Sequence, residues 1–338
     1  MEQVAELIDR TAADTRFSGA VRVDSGDGTV VAAAFGLADR RHGIPNTIDT
    51  QFAIASGTKG FTALAVESLV EDGVLTRDTT ARSLLGTDLP LVDPSVTVEH
   101  LLSHRSGIGD YLDESSLDDI GAYVMPLPVH RFERTVDYLP ALDGHPQVFV
   151  PGGGFAYCNS GYVVLALMAE RASGIPFHDL VRARVCDPAG SSDTVFLRSD
   201  DLPGAAAVGY VAVAGVERSN VLHLPVLGSG DGGLYSTVGD IRRFWQSLFE
   251  GRIVPLERVE NMLRARSTAQ SGSLHYGLGF WLRAAHGGTA RDVPLLEGYD
   301  AGVSFRSWHD PIVGTTCTVV SNTSEGAWAM CRALADVV

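Results

Sequence analysis

The sequence predicts an α/β (α+β) fold in which an antiparallel sheet is flanked by helices and carries an inserted, mostly helical lobe. Strand-like alternation occurs towards both ends of the chain, whereas the middle has loops and short stretches of helical periodicity. With 338 residues and 45% hydrophobic content, the chain can bury a large core. We expect residues 1–74 and 221–338 to form the α/β lobe and residues 75–220 the helical lobe, with the active site between them.

The individual elements follow from periodicity and from the residues that end it. A helix is expected at about 3–14, then a hairpin of strands at 19–23 and 30–34 around the Gly26-Asp27-Gly28 turn. A core helix begins at Ser56 and ends near Gly73, and Thr237-x-x-Asp240 is typical of a helix capping box. Further helices are expected at 98–102, 161–171, 237–251 and 328–337, and further strands at 279–282, 303–308 and 315–320.

Composition excludes several classes of function. The formal net charge of −15 disfavours binding to nucleic acids and to anionic membrane surfaces, and no apolar run is long enough to span a bilayer. The acidic start lacks the features of a secretory signal, so a cytoplasmic location is expected. The four cysteines show no metal-site spacing, so we expect free thiols. No motif implies a metal ion or an organic cofactor, and none is expected.

The single lysine, Lys59, is the most informative residue. Apart from the histidines, all other basic side chains are arginines, which do not give up their proton, whereas a desolvated lysine does. Lys59 stands three residues after Ser56 at the start of the predicted core helix, and this spacing places both side chains on one helix face. The pair therefore predicts a nucleophilic serine with a lysine as its proton acceptor.

A second group of polar residues follows a glycine run. Tyr157 and Asn159 come directly after Pro151-Gly152-Gly153-Gly154, and an extended segment would point both side chains the same way. A phenol beside an ammonium can exist partly as phenolate, which makes Tyr157 a candidate base for Ser56 and a candidate acid for the leaving group.

These motifs resemble those of the serine beta-lactamase and penicillin-binding-protein superfamily, in particular the class C-like branch with family VIII esterases and D-Ala-D-Ala peptidases. The resemblance extends in order through Phe35-Gly36-Leu37-Ala38-Asp39, Leu101 to Gly107, the Tyr157 segment and Gly232 to Thr237. It implies that Ser56 is acylated, that Lys59 and Tyr157 handle its proton, and that Asn159 binds the substrate on the acyl side.

The third element of that family, Lys-Thr-Gly or His-x-Gly, is altered in this chain. The corresponding segment contains Glu297 and Gly298, and alignment places Tyr299 at the basic position, with Asp300 next to it. Gly302 is then expected to supply the second oxyanion N–H beside that of Ser56. The missing cation disfavours substrates with a carboxylate, and Glu297 and Asp300 would form an acidic rim that suits neutral or cationic ones.

The sequence thus predicts a serine hydrolase, most nearly an esterase, for a small ester, amide or peptide-like substrate. A beta-lactamase or D-aminoacyl peptidase, an acyltransferase and a non-catalytic binding member of the family stay open as alternatives. His104 is expected to make a structural hydrogen bond, whereas Asp110 and Tyr111 either line the cleft or belong to a solvated loop. No oligomeric state is predicted.

Overall fold

The computed structural model describes residues 2–26, 28–114, 119–269, 274–284 and 292–335. The strands are β1 Gly19–Ser25, β2 Gly28–Phe35, β3 Leu37–Asp39, β4 Ile44–Pro45, β5 Phe52–Ala53, β6 Val195–Phe196, β7 Tyr210–Val213, β8 Val216–Ser219, β9 Leu234–Ser236, β10 Ser267–Thr268, β11 Leu274–Tyr276, β12 Trp281–Arg283, β13 Val293–Asp300, β14 Val303–Asp310 and β15 Thr315–Ser321. The α-helices are α1 Glu2–Thr15, α2 Thr58–Glu71, α3 Ala81–Leu85, α4 Val98–Leu102, α5 Leu139–Leu142, α6 Asn159–Ser173, α7 Phe177–Val181, α8 Asp187–Ala189, α9 Val238–Phe249, α10 Leu256–Met262 and α11 Gly326–Ala335.

One large sheet joins the two ends of the chain. Its eight strands run in the order β10-β11-β12-β13-β14-β15-β1-β2, and all neighbours are antiparallel. The predicted α/β fold with an antiparallel sheet from both chain ends is therefore confirmed.

Alternation along the strands gives this sheet two apolar faces. On β15, Cys317 and Val319 pack with α1 and α11 on one side, whereas Val320 belongs to the core on the other side. That second core contains α2 and α9, where the rings of Phe61 and Phe244 stack with centroids 4.3 Å apart. The sheet is thus covered on both faces, and α2 is held against the face that leads to the site.

Helix α2 is buried on nearly all sides because it lies between the sheet and the helical part of the chain. Helix α6 packs against α2, and both are rich in small and apolar side chains at buried positions. A small sheet in the order β5-β9-β6 connects the segment before α2 to the strand before α9. The start of α2 is therefore fixed from several directions.

Most predicted elements exist, with local differences. The hairpin of β1 and β2 is confirmed, although its central residue Asp27 lies outside the described residues, as do positions 336 and 337 of the closing helix. Thr237 caps α9 by accepting a hydrogen bond from the Asp240 N–H at 3.0 Å. The reciprocal half of the expected capping box is absent, because the Asp240 carboxylate instead accepts from the Asp193 N–H and the Thr194 hydroxyl.

Within the described ranges, no helix has the length and apolar character needed to cross a bilayer. The same residues contain no group of three or more His, Cys, Asp or Glu side chains arranged to hold a metal ion.

Candidate active site

Ser56 lies in a tight turn that leads into the core helix. The turn is a 3-10 helix, Ala55–Gly57, and α2 follows it without a break. Ala55 has φ of 44°, in the left-handed region that residues other than glycine seldom occupy. Ser56 itself is half-buried and lines two cavities. The turn therefore presents a serine hydroxyl to open space at the edge of a rigid core.

Lys59 brings an amine to that hydroxyl. Its Nζ lies 2.9 Å from Ser56 Oγ and donates to Asn159 Oδ1 and to the Asp231 carbonyl oxygen, each at 2.8 Å. Desolvation lowers the pKa of Lys59, and the carboxyl groups of Asp231 and Glu114 partly oppose this. A lowered pKa favours the neutral amine, which is the form that accepts a proton.

Tyr157 lies beside both the Lys59 amine and the Ser56 hydroxyl. The Lys59 amine lies 4.8 Å from the centre of its ring, and Trp281 stacks on the ring at 5.7 Å. Burial raises the pKa of Tyr157 well above its ordinary value, and a hydrogen bond with Ser56 opposes this. The surroundings therefore favour the neutral phenol, in contrast to the partly ionised form expected from the sequence. Tyr157 is placed as a proton donor in the resting state.

Asn159 contacts Lys59 as part of the same cluster, but its backbone conformation and its hydrogen bonds differ from those expected. It is the first residue of α6 rather than part of an extended segment, and Cys158 is the N-cap. Its Oδ1 accepts from Lys59, while its Nδ2 donates to the Leu112 carbonyl at 2.9 Å and to Glu114 Oε1 at 3.0 Å. The side-chain amide thus holds the lysine in place, and a substrate would have to displace Glu114 to reach it.

Gly302 does not have the free N–H that the sequence prediction requires. It lies in the turn between β13 and β14 with φ of 75°, and its N–H donates to Ser324 Oγ at 2.8 Å. The assignment of Gly302 to an oxyanion hole is therefore wrong.

Strand register identifies another N–H. Asp300 and Val303 flank a two-residue turn, so they form a hydrogen-bonded pair. Because such pairs alternate, Tyr299 is not hydrogen-bonded to Ser304, and its N–H points away from β14. On that side β12 pairs only with residues 293–295 of β13, so it offers no partner to the Tyr299 N–H.

Gly298 shows that this part of β13 runs against the serine turn. A Cβ at Gly298 would lie 2.0 Å from the Ile54 carbonyl oxygen and 3.1 Å from the Ala55 Cβ. A glycine inside a strand often marks such a close approach of two backbones. The N–H of Tyr299, next in the chain, is thus the candidate to act with the Ser56 N–H on one oxygen atom.

Two cavities meet at Ser56, and Glu114 also lines both. The first is mostly apolar and includes Asn159, Asp231 and Asp300. The second has an aromatic wall of Phe155, Tyr157 and Trp281, and also includes Glu297 and Tyr299. This arrangement gives a substrate carbonyl at Ser56 separate spaces for its two substituents.

The carboxyl groups are the main ionisable side chains around Ser56. In the described part of the chain, no arginine or lysine side chain lines either cavity. Glu297 forms an ion pair with Arg306, and the Tyr299 hydroxyl donates to Glu325 at 2.8 Å. Asp300 lies inside the first cavity rather than on a rim, and burial raises its pKa to about 7. The expected acidic rim is thus partly neutralised at Glu297 and partly buried at Asp300.

Three residues weighed in the sequence have structural roles nearby. His104 is buried, and its Nδ1 accepts from the Cys158 N–H at 3.1 Å, which confirms the expected hydrogen bond. Asp110 accepts from the Asn159 N–H at 2.7 Å and so anchors the start of α6. The Tyr111 hydroxyl donates to Asp231 Oδ2 at 2.6 Å.

Sequence reasoning missed Asp231 and Gly298. Asp231 stands in the run Gly228-Ser229-Gly230-Asp231-Gly232-Gly233, which has the composition of a loop. Its surroundings carry the signal that was available, since glycines allow a backbone to approach a site closely. Gly298 gave the same signal inside an otherwise strand-like segment.

Comparison with known proteins gives a consistent result. The sequence model of the Beta-lactamase family matches residues 4–337. Penicillin-binding protein 4* of Bacillus subtilis is 29% identical over 79% of this chain, and the chain spans 60% of that protein's length. Esterase EstB of Burkholderia gladioli is 29% identical, with 94% of this chain and 89% of the esterase covered.

Solved structures show the same fold. A penicillin-binding protein from Bacillus halodurans superimposes with a TM-score of 0.91 at 33% identity, covering 98% of this chain and 100% of that one. A penicillin-binding protein homologue from Pyrococcus abyssi gives a TM-score of 0.84 at 25% identity, covering 99% of this chain and 77% of that one.

Proposed function

Because this chain belongs to the Beta-lactamase family of serine hydrolases, we propose that it is an esterase-like hydrolase that cleaves a small ester or amide through an acyl group on Ser56. The observation that supports this most strongly is the 2.9 Å separation between Ser56 Oγ and the nitrogen of the buried Lys59. An activated serine nucleophile needs a base within that reach.

In the proposed first step, Ser56 Oγ attacks the substrate carbonyl carbon while Lys59, as neutral amine, accepts the hydroxyl proton. The carbonyl oxygen becomes an oxyanion and is bound by the backbone N–H groups of Ser56 and Tyr299. Each donor of this kind lowers the activation free energy of such a reaction by about 3 to 4 kcal/mol. The N–H of Ser56 belongs to the first turn of a helical segment, where such groups have no partner within the helix.

The second step breaks the bond to the leaving group. Tyr157 donates its phenolic proton to the departing oxygen or nitrogen, and the proton held by Lys59 then restores the phenol. Water attacks the resulting ester of Ser56 and releases the acid. Tyr157 lines the second cavity and not the first. The leaving group therefore departs into the second cavity, beside its aromatic wall, and the acyl group occupies the first cavity.

The third family element supports an uncharged or cationic substrate. Gly298 is the glycine that approaches the serine turn, so it best matches the glycine of Lys-Thr-Gly. Leu296 then stands at the basic position instead of Tyr299, and it is 2% exposed. A buried leucine supplies no charge for a substrate carboxylate. We therefore expect penicillins and peptides with a free C-terminal carboxylate to be poorer substrates than simple esters and amides.

Labelling experiments test this proposal. Wild-type protein is incubated with p-nitrophenyl butyrate, quenched in acid and analysed by intact mass and peptide mapping, with Ser56→Ala alongside. A single butyryl group on the Ser56 peptide is expected, and none on the variant. A fluorescent penicillin should label the protein much more slowly than the ester acylates it. Faster labelling by the penicillin would favour the penicillin-binding alternative.

A further inference from the structure

The cavity on the acyl side combines an apolar lining with carboxyl groups and phenols. Leu112, Met125 and Leu197 contribute apolar surface close to Ser56. The polar side chains that matter here are three carboxyl groups and four phenols, those of Glu114, Asp231, Asp300, Tyr111, Tyr123, Tyr138 and Tyr235. An uncharged acyl chain would make no use of three acids, because burying a carboxyl group costs free energy that only a partner recovers.

Among the described residues, Asp300 receives no hydrogen bond from outside its own turn. Its Oδ1 accepts from the N–H of Ala301, the next residue in its own turn, at 2.9 Å. Among the described residues, no hydrogen bond to its second oxygen is present. Burial raises the pKa of Asp300 to about 7, so near neutral pH its carboxyl group gains from any cation that enters the cavity.

The carboxyl groups of the other two acids are held in place and line the same space, and burial raises the pKa of both. Asp231 accepts from the Tyr111 hydroxyl, and Glu114 accepts from Asn159. Burial raises the pKa values of Tyr123 and Tyr138, and the charges of Asp231 and Asp300 add to this effect, as expected for acids and phenols that line one cavity. Lys59 is a nearby basic group, but its nitrogen is already in contact with Ser56, Asn159 and Asp231.

We propose that this cavity binds an alkylammonium group carried by the acyl part of the substrate, with Asp300 as its main contact and the phenol rings around it. The inference rests on the proposed function, because it assigns the acyl group to this cavity. Carboxylates and aromatic rings together are the usual surroundings of a bound organic cation. Glu114 lines both cavities, so it adds a further carboxyl group where the two spaces meet.

A pair of substrates with equal shape tests the charge alone. The p-nitrophenyl esters of 4-(trimethylammonio)butanoate and 5,5-dimethylhexanoate differ by one nitrogen in place of one carbon. We expect kcat/KM to be at least about tenfold higher for the cationic ester, which corresponds to about 1.4 kcal/mol. The ratio of the two values is the readout, because a change in Lys59 or in the oxyanion hole affects both esters alike.

Two variants locate the effect. Asp300→Asn keeps the size of the side chain but removes its charge. The ratio of kcat/KM for the cationic ester to that for the neutral ester should fall by about tenfold, because one charge–charge contact is lost. Glu257→Gln removes the same charge from an exposed position in α10, outside both cavities, and should leave the ratio unchanged. An equal fall in both variants would overturn the role of Asp300, because it would reflect net charge only.

The outcomes separate this inference from the proposed function. If the neutral ester is hydrolysed with dependence on Ser56 but the cationic ester is no better, the cation site is wrong and the esterase stands. If neither ester acylates the protein, the proposed function fails, and calorimetry on Ser56→Ala with the two corresponding N-methyl amides decides the cation site. Binding at least tenfold tighter for the cationic amide would support it, and equal or weaker binding would overturn it.

Discussion

The amine of Lys59 lies 2.9 Å from the hydroxyl oxygen of Ser56, and it is held there by the Asn159 side chain and the Asp231 carbonyl. Three contacts fix the nitrogen in a desolvated position, so its proton affinity is set by burial and by nearby acids. This relationship makes the protonation state of Lys59 the property on which the chemistry depends.

Replacing the amine tests that dependence. Lys59→Met keeps an unbranched buried side chain but removes the proton acceptor, so kcat/KM for p-nitrophenyl butyrate should fall by at least about 10³-fold. Thermal unfolding followed by circular dichroism should show that the variant is folded. Activity within tenfold of wild type in a folded Lys59→Met protein would remove Lys59 from the role of base.

The pH profile of acylation gives an independent test of Lys59. Desolvation lowers its pKa from the model-compound value of 10.5, so the neutral amine persists to lower pH than in a free lysine. The rate of acylation should therefore rise with pH along a limb centred below 10.5. Pre-steady-state release of p-nitrophenol across pH 5 to about 10 measures this limb. A limb centred at or above the value of free lysine would contradict the proposed desolvation.

The effect of Tyr157 on the rate should depend on how strongly the leaving group requires protonation. Tyr157→Phe removes the phenolic proton but keeps the ring that stacks on Trp281. We expect a loss of about 10²-fold or more for an ethyl ester, whose alkoxide needs a proton, and less than about tenfold for a p-nitrophenyl ester. Equal losses for both esters would indicate that Tyr157 acts before the leaving group departs.

Gly298 should be intolerant of any side chain because β13 approaches the serine turn there. A Cβ would lie 2.0 Å from the Ile54 carbonyl oxygen, so Gly298→Ala must displace β13 or the turn. We expect at least about tenfold lower kcat/KM, since small displacements of an oxyanion donor are costly. Gly204→Ala is the control, because a Cβ at that position meets no atom within 4 Å. Comparable activity in the two variants would refute the placement of the Tyr299 N–H.

Asp300 also makes a prediction about stability. Burial raises its pKa from 3.8 to about 7, with Glu114 and Asp231 adding to the shift and Lys59 opposing it. The folded state therefore binds more protons than the unfolded state between these values, and stability falls as the pH rises through that window. Asp300→Asn carries no such charge. Its Tm should exceed that of wild type at pH 8, and the difference should shrink towards pH 4. A difference independent of pH would contradict the assigned shift.

The sequence was sufficient for features that depend on local spacing. The hydroxyl and the amine three residues apart on one helix predicted the contact of Ser56 with Lys59, and the strand patterns at both ends predicted one shared sheet. Such features follow from the period of a helix or a strand and need no knowledge of distant contacts.

Features that depend on register and on long-range contacts could not be obtained in this way. Gly302 and Gly298 are four positions apart on similar backbone, and only the pairing of β13 with β14 shows which one lies beside the serine turn. Likewise Asp231 reaches the Lys59 amine through a chain separation of 172 residues, for which no local pattern exists.

The most direct test of the whole account is the hydrolysis of p-nitrophenyl butyrate by wild type and by Ser56→Ala, measured side by side with circular dichroism spectra of both. We expect turnover by wild type and a loss of at least about 10³-fold in a folded Ser56→Ala protein. Equal rates in the two folded proteins would contradict it, because the nucleophile would then lie elsewhere.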